Sequence, residues 1–179
     1  MILVRHPIAD APAVSRIEAE AVRDGARLSL RYALGGSLAD LAIPPLASPA
    51  RADELWRHTC FEAFVRAAAS DAYLELNFAP STAWAAYRFT GYRNGMTAAE
   101  IAPPRIEVET AADRLTLAAT VDLSVLPDLA AAARWRIALT AVIEDTSGAH
   151  TYWSLAHAPG GRPDFHHSAG FEVELPPPP

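Results

Sequence analysis

Along most of this chain, apolar and polar positions alternate with a period of two rather than 3.6, which is the signature of strands. From Val14 to Val22 the residues Val14, Arg16, Glu18 and Glu20 alternate against Ser15, Ile17, Ala19 and Ala21. Asp24-Gly25 supplies a hairpin turn into 27–34, where Leu28, Leu30, Tyr32 and Leu34 share one face before Gly35-Gly36 closes the strand. A further short strand or edge is expected over 38–43, ended by Pro44-Pro45.

The same reading predicts strands over 55–66 and 73–79, joined around Ser70-Asp71, and a strand over 84–93 ended by Asn94-Gly95. A hairpin follows from 106–110 to 114–121 across Ala112-Asp113, then a short helix over 124–133. Strands over 135–143, 150–157 and 171–175 complete the count. About ten short strands with turn residues between them, and at most one short helix, define an all-β chain. The expected architecture is an antiparallel β-sandwich, jelly-roll or immunoglobulin-like. One domain over 1–175 is expected, followed by a disordered proline tail at 176–179.

Composition changes this picture little. The 51% hydrophobic fraction is inflated by alanine runs such as 67–69 and 130–133, so alanine carries no helix signal here. A net charge of −6 excludes a general nucleic-acid binder, which needs a basic surface. One cysteine, Cys60, excludes an internal disulfide and suits a reducing compartment. The apolar run at Ile2-Leu3-Val4 is too short for a signal segment or a membrane span, so, with Met1 as the start, no membrane and a cytoplasmic location are expected.

Candidate chemistry gathers on three consecutive strands. Residues two apart share a face, so Phe61, Ala63 and Val65 read as core, while Trp56, His58, Cys60, Glu62, Phe64 and Arg66 fall opposite. On the next strand Leu74, Leu76 and Phe78 point inward and Tyr73, Glu75 and Asn77 outward, which brings Glu62 near Glu75 or Asn77. The third strand offers Trp84, Arg88 and Tyr92 on one face, Tyr87 and Phe89 on the other. Such a face is either a solvated surface with cross-strand pairs or a binding site for a polyol. Aromatic faces with carboxylate, amide and guanidinium groups match a sugar's C–H surfaces and hydroxyls.

A second cluster runs from Trp153 through His157, Asp164, Phe165, His166 and His167 in a Gly/Pro-rich loop. It is either a divalent-metal site without a recognised ligand spacing, or a loop held by Asp164 and a histidine, with Phe165 plugged into the sandwich end; the second is favoured. Catalytic motifs are missing: no nucleophile elbow, P-loop or dinucleotide fingerprint occurs. Glu62 and Glu75 form a weak glycosidase-like pair. Cys60, beside Phe61 and Phe64, reads as an inert thiol despite His58.

The segments 55–65, 73–80 and 84–93, with Trp153 to His157 and Pro163 to His166, resemble the DOMON-like superfamily, in the branch similar to family 9 carbohydrate-binding modules. The resemblance spans roughly 55–171. It implies a jelly-roll-like sandwich that binds ligands without turning them over, with sugars and haem as ligand classes. Haem-binding members use a methionine and a histidine, and Met96 is the only non-initiator methionine here.

The expected function is therefore a non-catalytic module for a saccharide or related polar small molecule, with no obligatory cofactor. Trp56 and Trp153 are the expected stacking platforms, Glu62, Glu75, Asn77, Arg88 and Tyr92 the hydrogen-bonding groups, and His157, Asp164 and His166 the rim. Alternatives are haem or metal binding, a glycoside hydrolase-like enzyme, and a protein-interaction surface.

Overall fold

The computed structural model describes residues 1–8 and 13–177; the last two tail prolines, 178–179, lie outside the described residues. Strands β1 (Val4–Arg5), β2 (Val14–Asp24) and β3 (Arg27–Gly36) come first, then β4 (Cys60–Ala67), β5 (Tyr73–Phe78), β6 (Trp84–Phe89) and β7 (Thr97–Ala98). They are followed by β8 (Arg105–Thr110), β9 (Arg114–Asp122), the one-turn helix α1 (Pro127–Ala130), β10 (Trp135–Glu144), β11 (His150–Ser154) and β12 (Val173–Leu175).

Two antiparallel sheets stack face to face. One has the order β2-β3-β9-β8; the other runs β1-β11-β10-β4-β5-β6-β7, with β12 also paired to β10. The chain is an all-β sandwich, as the alternation predicts. Leu28, Leu30, Tyr32 and Leu34 face Phe61, Ala63, Val65, Leu74, Leu76 and Phe78 across a single core. The sheets are also tied by a buried side-chain contact: the Tyr32 hydroxyl donates to the Glu62 carbonyl at 2.6 Å.

The two sheets differ in how they meet solvent. β9 alternates buried with more open positions, the pattern of a sheet with one wet face. Every residue of β5, and all but the last two of β4, is instead buried. Their second face mixes aromatic residues with Glu62, Glu75 and Asn77, and it is covered by a 3-10 turn at Leu55–Arg57 and by the segment around Phe165 and Phe171.

Six expected elements differ; two are simply shorter strands, 150–157 being His150–Ser154 and 171–175 being Val173–Leu175. The 38–43 strand is a 3-10 turn, Leu38–Asp40, followed by a single bridge from Leu41 to Asp145; the prolines at 44–45 lack the N–H groups to extend it. The 55–66 strand starts only at Cys60, because 55–57 closes the turn just described. The 124–133 helix is one turn, begun by Pro127 and stopped before Trp135, whose indole N–H donates to the Leu129 carbonyl at 2.8 Å. One correction to strand length matters most for the site: β6 ends at Phe89, and Tyr92-Arg93 form a tight turn closed by the Gly91–Asn94 bridge.

Candidate functional site

The outer face of the larger sheet carries a row fixed by register. Thr140 of β10 lies opposite Glu62 of β4, and Glu62 lies opposite Asn77 of β5. One step along, Phe64 opposes Glu75, which opposes Tyr87 of β6. Above this row opens a cavity of about 700 Å³, whose floor includes Glu62 and Glu75 and whose walls include Trp56, Phe64, Phe89 and Phe165. Its size falls within the usual range for small-molecule sites.

The floor carboxyls are buried: Glu62 is 2% exposed and Glu75 5%. Thr140 donates to Glu62 Oε2 at 3.1 Å, and Glu62 Oε1 has no hydrogen-bond partner. Asn77 Nδ2 donates to Glu75 Oε1 at 2.8 Å, and the Cys60 thiol lies 3.6 Å from Asn77 Oδ1. Burial, then the neighbouring Glu75, pushes the Glu62 carboxyl up to about 8 against the opposing bond from Thr140. Burial also raises Glu75, opposed by the bond from Asn77 and by the charge of Arg93. Cys60 is driven well up by burial and by Glu62, so it stays a thiol.

One wall is organised by a relay. The Arg93 amide donates to the Tyr73 hydroxyl at 3.2 Å, and the same hydroxyl is hydrogen-bonded to His166 Nδ1, 2.7 Å away. The other ring nitrogen, His166 Nε2, lies 3.9 Å from Glu75 Oε2. Burial, and next Arg93, lower His166 to about 4, so the ring is neutral at ordinary pH. The segment holding His166 is clamped by Asp164: its Oδ1 accepts from Arg93 Nη2 at 2.8 Å and Nε at 3.2 Å, and its Oδ2 from the Tyr92 hydroxyl at 2.6 Å. Partial burial works against ionisation of Asp164, but these bonds prevail and hold its carboxyl below the ordinary carboxylate value.

Two segments at the cavity hold non-glycine residues in the left-handed region. Arg93 has φ 51° and Glu54, two residues before Trp56, has φ 60°. Such conformations cost about 1–3 kcal/mol each and persist where the surroundings fix them. Here Tyr73 and Asp164 fix the first; the second opens the 3-10 turn that sets Trp56 edge-on against Tyr87, ring centres 5.7 Å apart.

Four of the ten sequence-derived residues line the cavity: Trp56, Glu62, Glu75 and His166. Asn77 lies beneath it, while Tyr92 and Asp164 tie the loop that walls it. Three are elsewhere. Arg88 shares the interior side with Trp84, because the Trp84 ring claims the core, and it reaches the edge to pair with Asp128 at 2.7 Å. Trp153 lies opposite Ala141 on the core side, 5% exposed, with its N–H donated to Thr151, so it offers no stacking face. His157 accompanies β1 instead: its Nε2–H donates to the Val4 carbonyl at 2.8 Å and its ring meets His6 edge-on.

The sequence reading did not assign Arg93, Thr140 or Tyr152 to the site. Thr140 carried a usable signal, a lone hydroxyl inside the apolar 137–143 run. Arg93 carried none, since its position depends on the turn.

Phe165 packs over the outer sheet face, with its ring 6.2 Å from Tyr152, rather than plugging the end of the sandwich. Among the described residues no group of three or more His, Cys, Asp or Glu is placed to hold a metal ion. Haem does not fit this cavity either. Met96 and His166 both border it, but His166 has Nδ1 bound to Tyr73 and Nε2 facing Glu75.

Fold and site together define a two-sheet β-sandwich with an aromatic-walled, acid-floored cavity on one sheet. No protein-family model and no curated protein sequence matches the chain. Among solved structures it is similar to a candidate carbohydrate-binding protein from Bacteroides uniformis ATCC 8492, with 13% identity, a TM-score of 0.67, and coverage of 90% of this chain and 78% of that one. It is also similar to a family 9 carbohydrate-binding module from Caldicellulosiruptor kristjanssonii, solved with glucose and with cellotriose. Those two comparisons give 13% identity and TM-scores of 0.53 and 0.54, covering 93% and 97% of this chain and 81% and 80% of the module. The likeness is one of fold.

Proposed function

We propose that this protein is a non-catalytic binding domain for a saccharide or a related polar ring compound, held in the cavity over Glu62 and Glu75. The observation that carries the reading is Glu62 Oε1, a buried polar atom with no partner in the protein, on a residue that lines the floor of an aromatic-walled cavity. A hydroxyl from a ligand satisfies it, and Trp56, Phe64 and Phe89 supply flat surfaces for a sugar's C–H faces. The solved neighbours described as carbohydrate-binding support the same reading by analogy of fold. Placement in the DOMON-like superfamily rests on the sequence motifs around Trp56, Glu62 and Asn77, and a reducing, cytoplasmic setting on the free, buried Cys60.

Glycoside hydrolysis is less well supported. It needs two carboxyls flanking the scissile bond, one of them ionised as nucleophile or base. Glu62 and Glu75 instead sit side by side on one sheet face, and burial drives both toward the neutral form.

Calorimetric titration with a panel of mono- and oligosaccharides tests the reading. A saccharide is expected to bind, and Trp56→Ala is expected to weaken it at least about tenfold, the loss typical of an aromatic contact with a ring. Sugar binding unchanged by Trp56→Ala, or a panel with no binder, would overturn the assignment.

A further inference from the structure

No cation lining the cavity is left over to pair with the two floor carboxyls once they ionise. Of the two guanidinium groups in its lining, Arg57 is paired with Glu54 at 2.9 Å and Arg93 with Asp164 at 2.8 Å. His166 is kept neutral by burial and by the nearby Arg93, and His150 gives its Nε2 hydrogen to the Arg57 carbonyl. The remaining titratable groups that face the floor, Cys60, Tyr73 and Tyr87, are all held in their neutral forms by burial, as is Tyr32 on the opposite sheet. Glu62 and Glu75 thus lie at neighbouring sheet positions with no cation committed to them, and Arg93 reaches Glu75 only through the field it shares with Asp164.

Each floor carboxyl has one oxygen satisfied and one without a hydrogen bond from the protein. Thr140 serves Glu62 Oε2, leaving Oε1 unpartnered; Asn77 serves Glu75 Oε1, leaving Oε2 with only the distant His166 ring. A sugar hydroxyl donates one hydrogen and can serve one of these oxygens. An ammonium group donates three, carries the missing positive charge, and is also attracted to the faces of the surrounding rings.

We propose that the ligand of this cavity carries a protonated amine, as an amino sugar does, seated on the floor between Glu62 Oε1 and Glu75 Oε2. The ring and hydroxyl part of that ligand rests on the saccharide reading above; the charge part does not. In the empty site a proton on the carboxyl pair relieves the repulsion between them, and the ammonium takes that proton's place.

The test compares D-glucosamine, D-glucose and cyclohexylamine by calorimetry, in buffers acidic enough to keep both amines fully charged. The expected result is that glucosamine binds at least about tenfold more tightly than glucose, the advantage of a charge-assisted bond. Proton release on binding, read from buffers of different ionisation enthalpy, accompanies it. Glu62→Gln and Glu75→Gln keep the side-chain shape, and each is expected to reduce the preference to about twofold or less. Glucose binding as tightly as glucosamine would overturn the inference and leave the saccharide reading standing. Cyclohexylamine binding with neither sugar bound would support the charge argument and remove the saccharide. Failure of all three would overturn both, and the wild-type comparison needs no variant to fold.

Discussion

Glu62 links the site to the acidity of its surroundings. Its ordinary value of 4.5 rises to about 8 in the fold, so between those pH values the folded chain holds a proton that the unfolded chain has released. The stability this supplies is complete below 4.5 and is lost as pH rises through about 8. His166 runs the other way: lowered from 6.5 to about 4, it contributes stability above 6.5 that is lost as pH falls through 4. The two slopes offset one another in mildly acidic solution, leaving a net decline between about 6.5 and 8. Denaturant midpoints measured across that interval should fall in the wild type, by up to about 1.4 kcal/mol per pH unit, and stay flat in Glu62→Gln. A flat wild-type profile would rule out the buried proton. Alternation alone placed Glu62 beside Asn77, because both side chains follow from strand phase. It failed for Arg88 and Trp153, where residue chemistry was allowed to outrank the phase set by Trp84 and Ala141.

At the scale of elements, the most consequential contact is made by neither strand nor helix. Asp164 gathers Tyr92, Arg93 and its own neighbour's amide, His166 N, into one cluster that pins the 163–167 segment over the outer sheet face. Asp164→Ala should free that segment without unfolding either sheet, because the clamp is partly exposed and β4, β5 and β6 keep their core contacts. Amide hydrogen exchange at 164–167 should quicken roughly tenfold while the sheet amides are unchanged; equal protection in the variant would show that Phe165 packing alone holds the segment. Burial of β4 and β5 on both faces was not legible, because Glu62, Glu75 and Asn77 give the second face the pattern of a wet one. Nor was the Tyr92-Arg93 turn, since it depends on partners 71 and 72 residues away in the chain.

For the molecule as a whole, the labour is divided between the sheets. The β2-β3-β9-β8 sheet contributes core and a wet outer face, while the larger sheet holds the cavity. Tyr32 spans the division, since its ring packs on Phe61 and its hydroxyl meets the backbone beneath Glu62. Tyr32→Phe removes only that hydroxyl and should cost about 1 kcal/mol. Thermal unfolding should then shift down by about 2–4 °C, and an unshifted transition would show that the bond adds nothing net.

The distribution of indoles across this architecture has an optical consequence. Trp84, Trp135 and Trp153 are enclosed at 5%, 0% and 5% exposure, whereas Trp56 stands half-buried at the mouth of the cavity. Three emitters therefore form a constant background, and a single one is positioned to change colour or be quenched when the mouth is occupied. The protein carries its own fluorescent reporter, and occupancy can be followed by emission alone, with no label attached and no knowledge of the ligand beforehand.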